Sequence, residues 1–468
     1  MIQVSLKKVL LYGALAIAQG CWAANVATYG DTIITLPTII PRSEHNISRA
    51  FINENALKVL YRLKNAGYEA YLVGGCVRDM LLGREPKDFD VATSAHPEQV
   101  KELFRNCRLI GRRFRLAHVH FGSDIIEVAT FRAQHDDSDD SDGVMRDGMI
   151  IRDNVYGTIE QDAWRRDFTV NALYYNIQDF SVVDYTEGIA DLRQGVFRTI
   201  GEPLLRFRED PVRMLRAVRF AAKLGFRIEP VAEAAIAQLR TLLEQVPPAR
   251  LFEEILKMFM SGFAVATYEQ LRHYRLFECL FPQVEASLSQ QRDNFPLTLL
   301  LRGLGNTDQR VNEDKSVTPA FLFAVILWEA TRVRAEAYQA QGRGDIEALQ
   351  LAAAEIISEQ AERVAIPKRF TMLAREIWQM QPRLKSIAGR RPLRMLGHPR
   401  FRAAYDFLLL RAESGEESQE LAQWWTEFQS KDDAGREAMM NVTQKPARAL
   451  RRGRRRKPKS AGAAAPTE

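Results

Sequence analysis

The sequence predicts an α+β head, then an all-α neck and body, then a basic, disordered C-terminal tail. Three observations carry this reading. Short apolar or alternating runs are interleaved with helical segments between residues 70 and 131; from Asp210 onward the periodic segments are almost all helical; and residues 445 to 459 hold nine Lys or Arg and no acid. The 468-residue chain has a formal net charge of +6, so everything outside that stretch sums to −3. The positive excess is local, and any argument toward nucleic acid concerns the tail and surface patches.

In chain order, Lys7 and Lys8 precede an apolar run, Val9 to Ala18, with small residues around Gly20, Cys21 and Ala23. This resembles a secretory signal but is too short to span a bilayer. A mis-called start or a disordered extension is the favoured alternative, with a cytoplasmic protein and no stable membrane span. Ser48 to Gly67 has helical spacing at Ala56, Leu57, Leu60 and Leu63, with Gly67 at the C-terminal position. Strands are expected at Ala70 to Val73, Phe89 to Ala92, Leu116 to Phe121 and Ile125 to Phe131, and helices at Val77 to Leu82 and Pro97 to Phe104. Residues 135 to 147 form an acidic, low-complexity loop whose glycine and missing terminal Glu do not fit a calcium loop. Helices follow at Pro211 to Leu224, Val231 to Leu243, Phe252 to Phe259, Pro319 to Arg332, Ile346 to Ser358, Lys368 to Met380 and Phe401 to Ala412. No fixed-period repeat supports a solenoid. Trp378, Trp424 and Trp425 read as core residues.

With 46% hydrophobic and 26% charged residues the chain is globular, not disordered or collagen-like. Its four cysteines, Cys21, Cys76, Cys107 and Cys279, lie far apart and give neither a zinc site nor a disulfide framework.

Tyr71-Leu-Val-Gly-Gly-Cys-Val-Arg-Asp79 runs from a strand through Gly74 and Gly75 into a helix. This suits either a phosphate on bare backbone N–H groups, with Arg78 in the first turn, or a plain tight turn. Asp88 and Asp90 stand two apart at a strand start, so both carboxylates point to one face. Their repulsion is relieved by a divalent cation, although such a pair also occurs in exposed loops. Glu127 sits mid-strand among Ile125, Ile126 and Val128, as an edge-strand polar residue or as a third ligand. Three carboxylates beside a glycine turn are the parts of two-metal nucleotidyl transfer.

Gly74-Gly-Cys-Val-Arg-Asp79, Asp88-Phe-Asp90, Glu127-Val-Ala-Thr-Phe-Arg132, Arg165-Arg-Asp-Phe-Thr-Val-Asn-Ala172 and Arg208-Glu-Asp-Pro-Val-Arg-Met-Leu-Arg-Ala-Val-Arg-Phe-Ala221 occur in that order. Together they resemble the motifs of the class II nucleotidyltransferases, which include bacterial poly(A) polymerases and tRNA CCA-adding enzymes. The likeness covers about Ser48 to Phe226. It implies a nucleotidyltransferase head on a mixed or antiparallel sheet with helices. It implies Asp88, Asp90 and Glu127 as ligands of two Mg²⁺ ions, with Asp167 a further catalytic acid. Gly74, Gly75, Arg78, Arg165, Arg166 and Asn171 would bind the nucleotide, and Glu209, Asp210, Arg213 and Arg216 would read its base. The last set also makes sense from the residues: Asp210 is a good N-cap, Pro211 suits the first helical position, and Met214, Ala217, Val218, Ala221 and Leu224 form an apolar stripe that leaves the arginines on another flank.

Leu109-Ile-Gly-Arg-Arg-Phe-Arg-Leu-Ala-His-Val119 resembles the segment that distinguishes poly(A) polymerases from their tRNA-modifying relatives. Arg112, Arg113, Arg115 and Arg219 are expected to meet RNA, as are Arg451, Arg452, Arg454, Arg455 and Arg456 in the tail, through phosphates. The expected activity is template-independent addition of AMP from ATP to RNA 3′ ends of mRNA and decay intermediates, with RNA-decay proteins as partners of the tail. CCA addition and a non-catalytic RNA-binding scaffold are the alternatives. The expected domains are an extension at 1–47, a catalytic head at 48–203, a neck for base recognition and RNA binding at 204–265, an RNA-binding helical body at 266–443 and the tail at 444–468. Cys76 at a position often Gly or Ala in relatives, the acidic loop and the signal-like start depart from the family.

Overall fold

The computed structural model describes residues 26–29, 32–111, 115–133, 143–146, 149–153, 155–290 and 295–442. The head forms because short β-rich runs pair around one buried sheet. Its strands are β1 (Thr38–Ile40), β2 (Ala70–Val73), β3 (Asp90–Thr93), β4 (Cys107–Ile110), β5 (Leu116–Phe121), β6 (Asp124–Thr130), β7 (Leu173–Asn176) and β8 (Val182–Asp184). They lie in the order β1-β8-β7-β2-β3-β6-β5-β4, with every neighbour antiparallel except β3 and β6. The sheet is therefore mixed. Its centre is apolar, with Val73, Ala92, Phe131, Ala163, Tyr174 and Val183 in one buried cluster.

Helix α1 (Glu54–Asn65) starts where Asn53 Oδ1 accepts the N–H groups of Asn55 and Ala56 at 2.7 and 3.3 Å. Its buried stripe is Ala56, Val59, Leu60 and Leu63, and Gly67 closes it at φ +88°, a conformation that favours glycine. Asp124 at the head of β6 accepts hydrogen bonds from Asn53 and Asn55 and so pins α1 to the sheet. Further on come α2 (Gly75–Leu81), α3 (Pro97–Leu103), α4 (Ile159–Arg165), α5 (Gly188–Gln194), α6 (Pro203–Glu209), α7 (Val212–Leu224), α8 (Pro230–Leu239) and α9 (Pro248–Phe259).

Several expectations need correction. The expected helix Val231 to Leu243 ends at Leu239 and continues as a 3-10 helix, Arg240–Gln245. Asp210 ends α6 rather than simply beginning α7, although its Oδ1 accepts the Val212 N–H at 3.3 Å. Of the acidic stretch 135 to 147, residues 143–146 pair as a strand with Met149–Asp153, while 135–142 and 147 lie outside the described residues. So do Lys7 to Ala23, the signal-like start.

The chain divides into two compact units, Met1–Met258 with Phe263–Leu280, and Phe259–Gly262 with Phe281–Glu468. The described part of the second is helical and includes α10 (Pro319–Ile326), α11 (Trp328–Ala340), α12 (Asp345–Arg363), α13 (Lys368–Leu384), α14 (Arg391–Leu396), α15 (Phe401–Glu413) and α16 (Gln419–Ser430). The single helix expected over Pro319 to Arg332 is two helices, broken at Leu327, which takes φ −88° and ψ −1°. Met380, Leu384, Phe401, Tyr405, Leu408, Trp425 and Phe428 share a core. Trp378 and Trp425 are fully buried, and their indole N–H groups donate to Ala324 O and Leu384 O at 3.0 and 2.9 Å. A polar network lies near this core: Arg411 pairs with Glu416 and Glu417 at 2.8 and 3.4 Å, and Trp328 Nε1 donates to Glu416 at 2.9 Å.

Among the described residues the cysteines, Cys76, Cys107 and Cys279, are buried thiols outside any disulfide, and no helix is long and apolar enough to cross a membrane.

Candidate active site

The parallel pairing of β3 with β6 sets Asp90 opposite Glu127, on the same face of the sheet. Burial pushes the Asp90 carboxyl up to about 6, and the charges of Glu127 and Asp88 push the same way, against Arg166. Asp88 is exposed on the segment leading into β3, and Glu127 is half-exposed beside His118 Nε2 at 3.2 Å. Among the described residues no three His, Cys, Asp or Glu side chains form a ready metal cage. The expected convergence is thus a partly buried carboxylate with two acidic neighbours. That local excess of negative charge on Asp90 fits a divalent cation.

Asp90 and Glu127 open into a cavity of about 430 Å³, also lined by Arg132, Asp162, Arg165, Arg166, Asp167, Asp210, Arg213, Arg216, Arg250 and Glu254. Its size suits a small ligand. The arginine side carries the opposite imbalance. Burial brings Arg165 down to about 9, helped by the neighbouring cations Arg132, Arg206 and Arg213, with Glu209 opposing. One pocket therefore holds an acid-rich wall that favours a cation and a cation-rich wall that favours a polyanion.

The other charged groups are fixed. Arg166 Nε and Nη2 donate to Asp162 at 3.1 and 2.9 Å, Arg166 Nε also donates to Tyr174 Oη at 2.9 Å, and Tyr174 donates to Asp162 at 2.7 Å. Burial works against the Arg166 charge, but Tyr174 and Asp162 outweigh it and raise its pKa. Asp167 meets Arg216 through a single oxygen, Oδ2, which accepts from Nε at 2.7 Å and lies 2.5 Å from Nη2, an ion pair between the segment after α4 and helix α7. Arg213 donates to Glu209 at 2.7 Å, and Arg206 donates to Glu209 and to the carbonyls of Arg165 and Arg166. Arg250 donates to Asp210 at 2.9 Å.

Thus Asp90, Glu127, Asp167, Arg165, Arg166, Asp210, Arg213 and Arg216 come together around the cavity. Other expected residues lie behind it. Arg78 is fully buried, bonded to Asp79 at 2.8 and 2.7 Å and to Asn171 at 2.5 Å. Gly74 has φ +80°, and its N–H donates to Leu173 O, which ties the glycine turn to β7; Gly75 begins α2. Asn171 is buried between Arg78 and Asp167, and Glu209 braces Arg206 and Arg213. Arg219 is mostly buried, 3.7 Å from Glu254 and over the Phe220 ring at 4.1 Å, where it is poorly placed to meet RNA. Arg115 pairs with Glu98 at 2.7 Å, both exposed. Arg112, Arg113, Arg451, Arg452, Arg454, Arg455 and Arg456 lie outside the described residues.

Asp162, Arg250 and Glu254 were missed. Asp162 carries a legible signal, since it stands four residues before Arg166 on α4. Arg250 lies 40 positions from Asp210, and only the fold joins them.

Residues 70–198 match the family model "Poly A polymerase head domain", 225–288 match "Probable RNA and SrmB- binding site of polymerase A", and 341–460 match "Polymerase A arginine-rich C-terminus". The chain is 52% identical to Poly(A) polymerase I of Salmonella typhi over 428 residues, covering 90% of this chain and 92% of that protein. A CCA-adding enzyme of Lactobacillus helveticus is 35% identical over 54% of this chain and 64% of that protein. Among solved structures, the CCA-adding enzyme of Bacillus stearothermophilus in complex with CTP aligns with TM-score 0.54 and 25% identity, covering 86% of this chain and 89% of that one. The ordered motifs, the mixed-sheet head and a match along nine-tenths of the length agree: the chain belongs to the bacterial poly(A) polymerase family of nucleotidyltransferases.

Proposed function

We propose that this protein is a template-independent polynucleotide adenylyltransferase, which transfers AMP from ATP to RNA 3′ ends and releases pyrophosphate. The observation that carries the reading is the double charge imbalance of one cavity, acid excess at Asp90 and cation excess at Arg165. A metal-bound triphosphate answers both at once. The RNA 3′-oxygen bonds to the α-phosphorus as the bond to the pyrophosphate oxygen breaks, and the hydroxyl proton leaves to solvent.

Asp88, Asp90 and Glu127 would hold two Mg²⁺ ions, which when bound polarise the attacking hydroxyl and neutralise the leaving pyrophosphate. Arg165 and Arg132 supply a positive wall for the phosphates. Arg166 is held in one orientation by Asp162 and Tyr174, ahead of any nucleotide. The pairs Asp167–Arg216, Glu209–Arg213 and Asp210–Arg250 form a rigid set of planar donors and acceptors. Such a set selects a base edge without a template, because a mismatched edge leaves buried polar groups unpaired.

The full-length likeness to proteins named Poly(A) polymerase I supports AMP addition over CCA addition. We further read the chain as a cytoplasmic enzyme of RNA decay, with residues 444–468 as a strap for RNA and for decay proteins. The test is incubation with an unstructured RNA oligonucleotide and each nucleotide alone. Long ladders with ATP only are expected; ordered C, C, A addition confined to truncated tRNA would overturn the reading.

A further inference from the structure

We propose that His118 is a positioning residue of the nucleotidyl-transfer site, which holds the Glu127 carboxylate in the orientation that receives a divalent cation. The strand registers bring the two together. Asp90 on β3 pairs with Glu127 on β6, Glu127 pairs with His118 on β5, and His118 pairs with Arg108 on β4. Register partners point to one face of a sheet, so these side chains form a single row across adjacent strands. The row runs from two carboxylates to an imidazole and a guanidinium, and Glu127 stands at the change of sign.

The alternation along β5 puts the imidazole there. Ala117 and Val119 are buried, which turns His118 and His120 to the opposite face. The His118 side chain is largely covered, at 16% exposure, whereas that of Glu127 is 49% exposed. His118 Nε2 lies 3.2 Å from Glu127 Oε1 and is itself buried, yet ring and carboxylate are not aligned as a full hydrogen bond. Nε2 has no other partner among the described residues. A buried donor without an acceptor is costly, so the ring favours the Glu127 rotamer that brings an oxygen onto it.

With one oxygen drawn to His118, the other is left for the cavity that Glu127 and Asp90 both line. A half-exposed carboxylate beside a like charge would otherwise turn to solvent, where the repulsion from Asp90 is weakest. The imidazole on the far side opposes that turn and removes beforehand part of the ordering cost of cation binding. The role needs a proton on Nε2 and a ring that reaches Glu127. A glutamine amide supplies a similar donor, whereas phenylalanine supplies the shape alone. The proposal rests on reading Glu127 as a cation ligand, and the test separates the two.

Mn²⁺ alone is titrated into the full chain, without nucleotide or RNA, and bound ion is followed by loss of the free-ion electron paramagnetic resonance signal. The relevant site is the one that Asp90→Asn abolishes. His118→Phe is expected to raise the Kd of that site for Mn²⁺ by about tenfold, the lower end of what loss of a ligand's hydrogen-bonding partner costs. His118→Gln should recover most of the loss. In a Glu127→Gln background, His118→Phe should add almost nothing, because its effect passes through the carboxylate. Equal losses in both backgrounds, or a Gln variant no better than Phe, would make the histidine a packing residue and overturn the proposal. So would unchanged Mn²⁺ affinity in folded His118→Phe when Glu127→Gln alone weakens it. If His118→Phe fails to fold, His118→Ala takes its place with the same expectations. Unchanged Mn²⁺ binding in Glu127→Gln would instead overturn the ligand reading, and this proposal with it.

Discussion

Asp90 and Glu127 are register partners across the one parallel pair of the main sheet, and their mutual repulsion adds to burial in pushing Asp90 up to about 6. A partly buried acid held there by a like charge is relieved by a bound cation. Asp90→Asn is expected to lower AMP transfer by on the order of 10³-fold, since several kcal/mol of transition-state charge stabilisation go with the ion. Oligoadenylate affinity should change little. Chelation of Mg²⁺ should reproduce the split in wild-type protein, with primer-extension rate and RNA anisotropy measured side by side.

Arg250 braces Asp210 in the cavity. Arg250→Ala leaves a mostly buried carboxylate without its guanidinium, and discrimination between ATP and CTP should fall by about tenfold, a loss of roughly 1–2 kcal/mol. The ratio of kcat/KM values for the two nucleotides measures this. A variant that loses rate equally with both would contradict the role in base choice.

Asp167 is nearly buried, and although burial alone would raise its pKa, the ion pair and hydrogen bonds to Arg216 and the bond from Asn171 hold it below the usual carboxylate range. A depressed folded pKa gives stability that is fully present above the unfolded value of about 3.9 and is lost as pH falls through the folded value. Asp167→Asn should therefore cost about 3 kcal/mol at neutral pH, with the gap to wild type closing below about pH 4. Thermal unfolding followed at several pH values tests both the size and the direction.

In the second unit, Arg411 is buried against Glu416, Glu417 and Gln381. Arg411→Met should destabilise by about 3 kcal/mol because it leaves the Glu416 carboxylate with only the Trp328 N–H, while Glu417 keeps Lys385. Adding Glu416→Gln should recover part of the loss. Urea unfolding of the single and double variants is the measurement.

At Gly188 an added methyl group would collide with the Thr169 carbonyl oxygen. Gly188→Ala is expected to cost about 1–3 kcal/mol, whereas Gly344→Ala, which meets open space, should be nearly neutral. Comparative melting temperatures decide it.

The strands at 70–73, 116–121 and 124–130 were readable because apolar residues alternate or cluster there between turn residues. Cys107–Ile110, Leu173–Asn176 and Val182–Asp184 were not, because runs of three or four residues carry too little periodicity unless a motif marks them, as Gly74 and Gly75 mark the end of 70–73. The break at Leu327 lies inside a continuous apolar stretch that gives no stop signal. In the site, the carboxylates and the motif arginines were legible from residue type and order. The inward turn of Arg78 toward Asp79 and Asn171, and of Arg219 toward Glu254, was not, since a cation looks the same in sequence whether it faces ligand or protein.

The parallel pairing of β3 and β6 also fixes when the site can exist. A parallel pair cannot be closed by a hairpin, so the chain must leave β3, build α3, β4 and β5, and return before Glu127 meets Asp90. Asp167, Arg216 and Arg250 follow still later in the chain. A ribosome-bound chain that has emerged only as far as β5 thus carries Asp88 and Asp90 without the register partner Glu127, and lacks most of the residues that line the cavity.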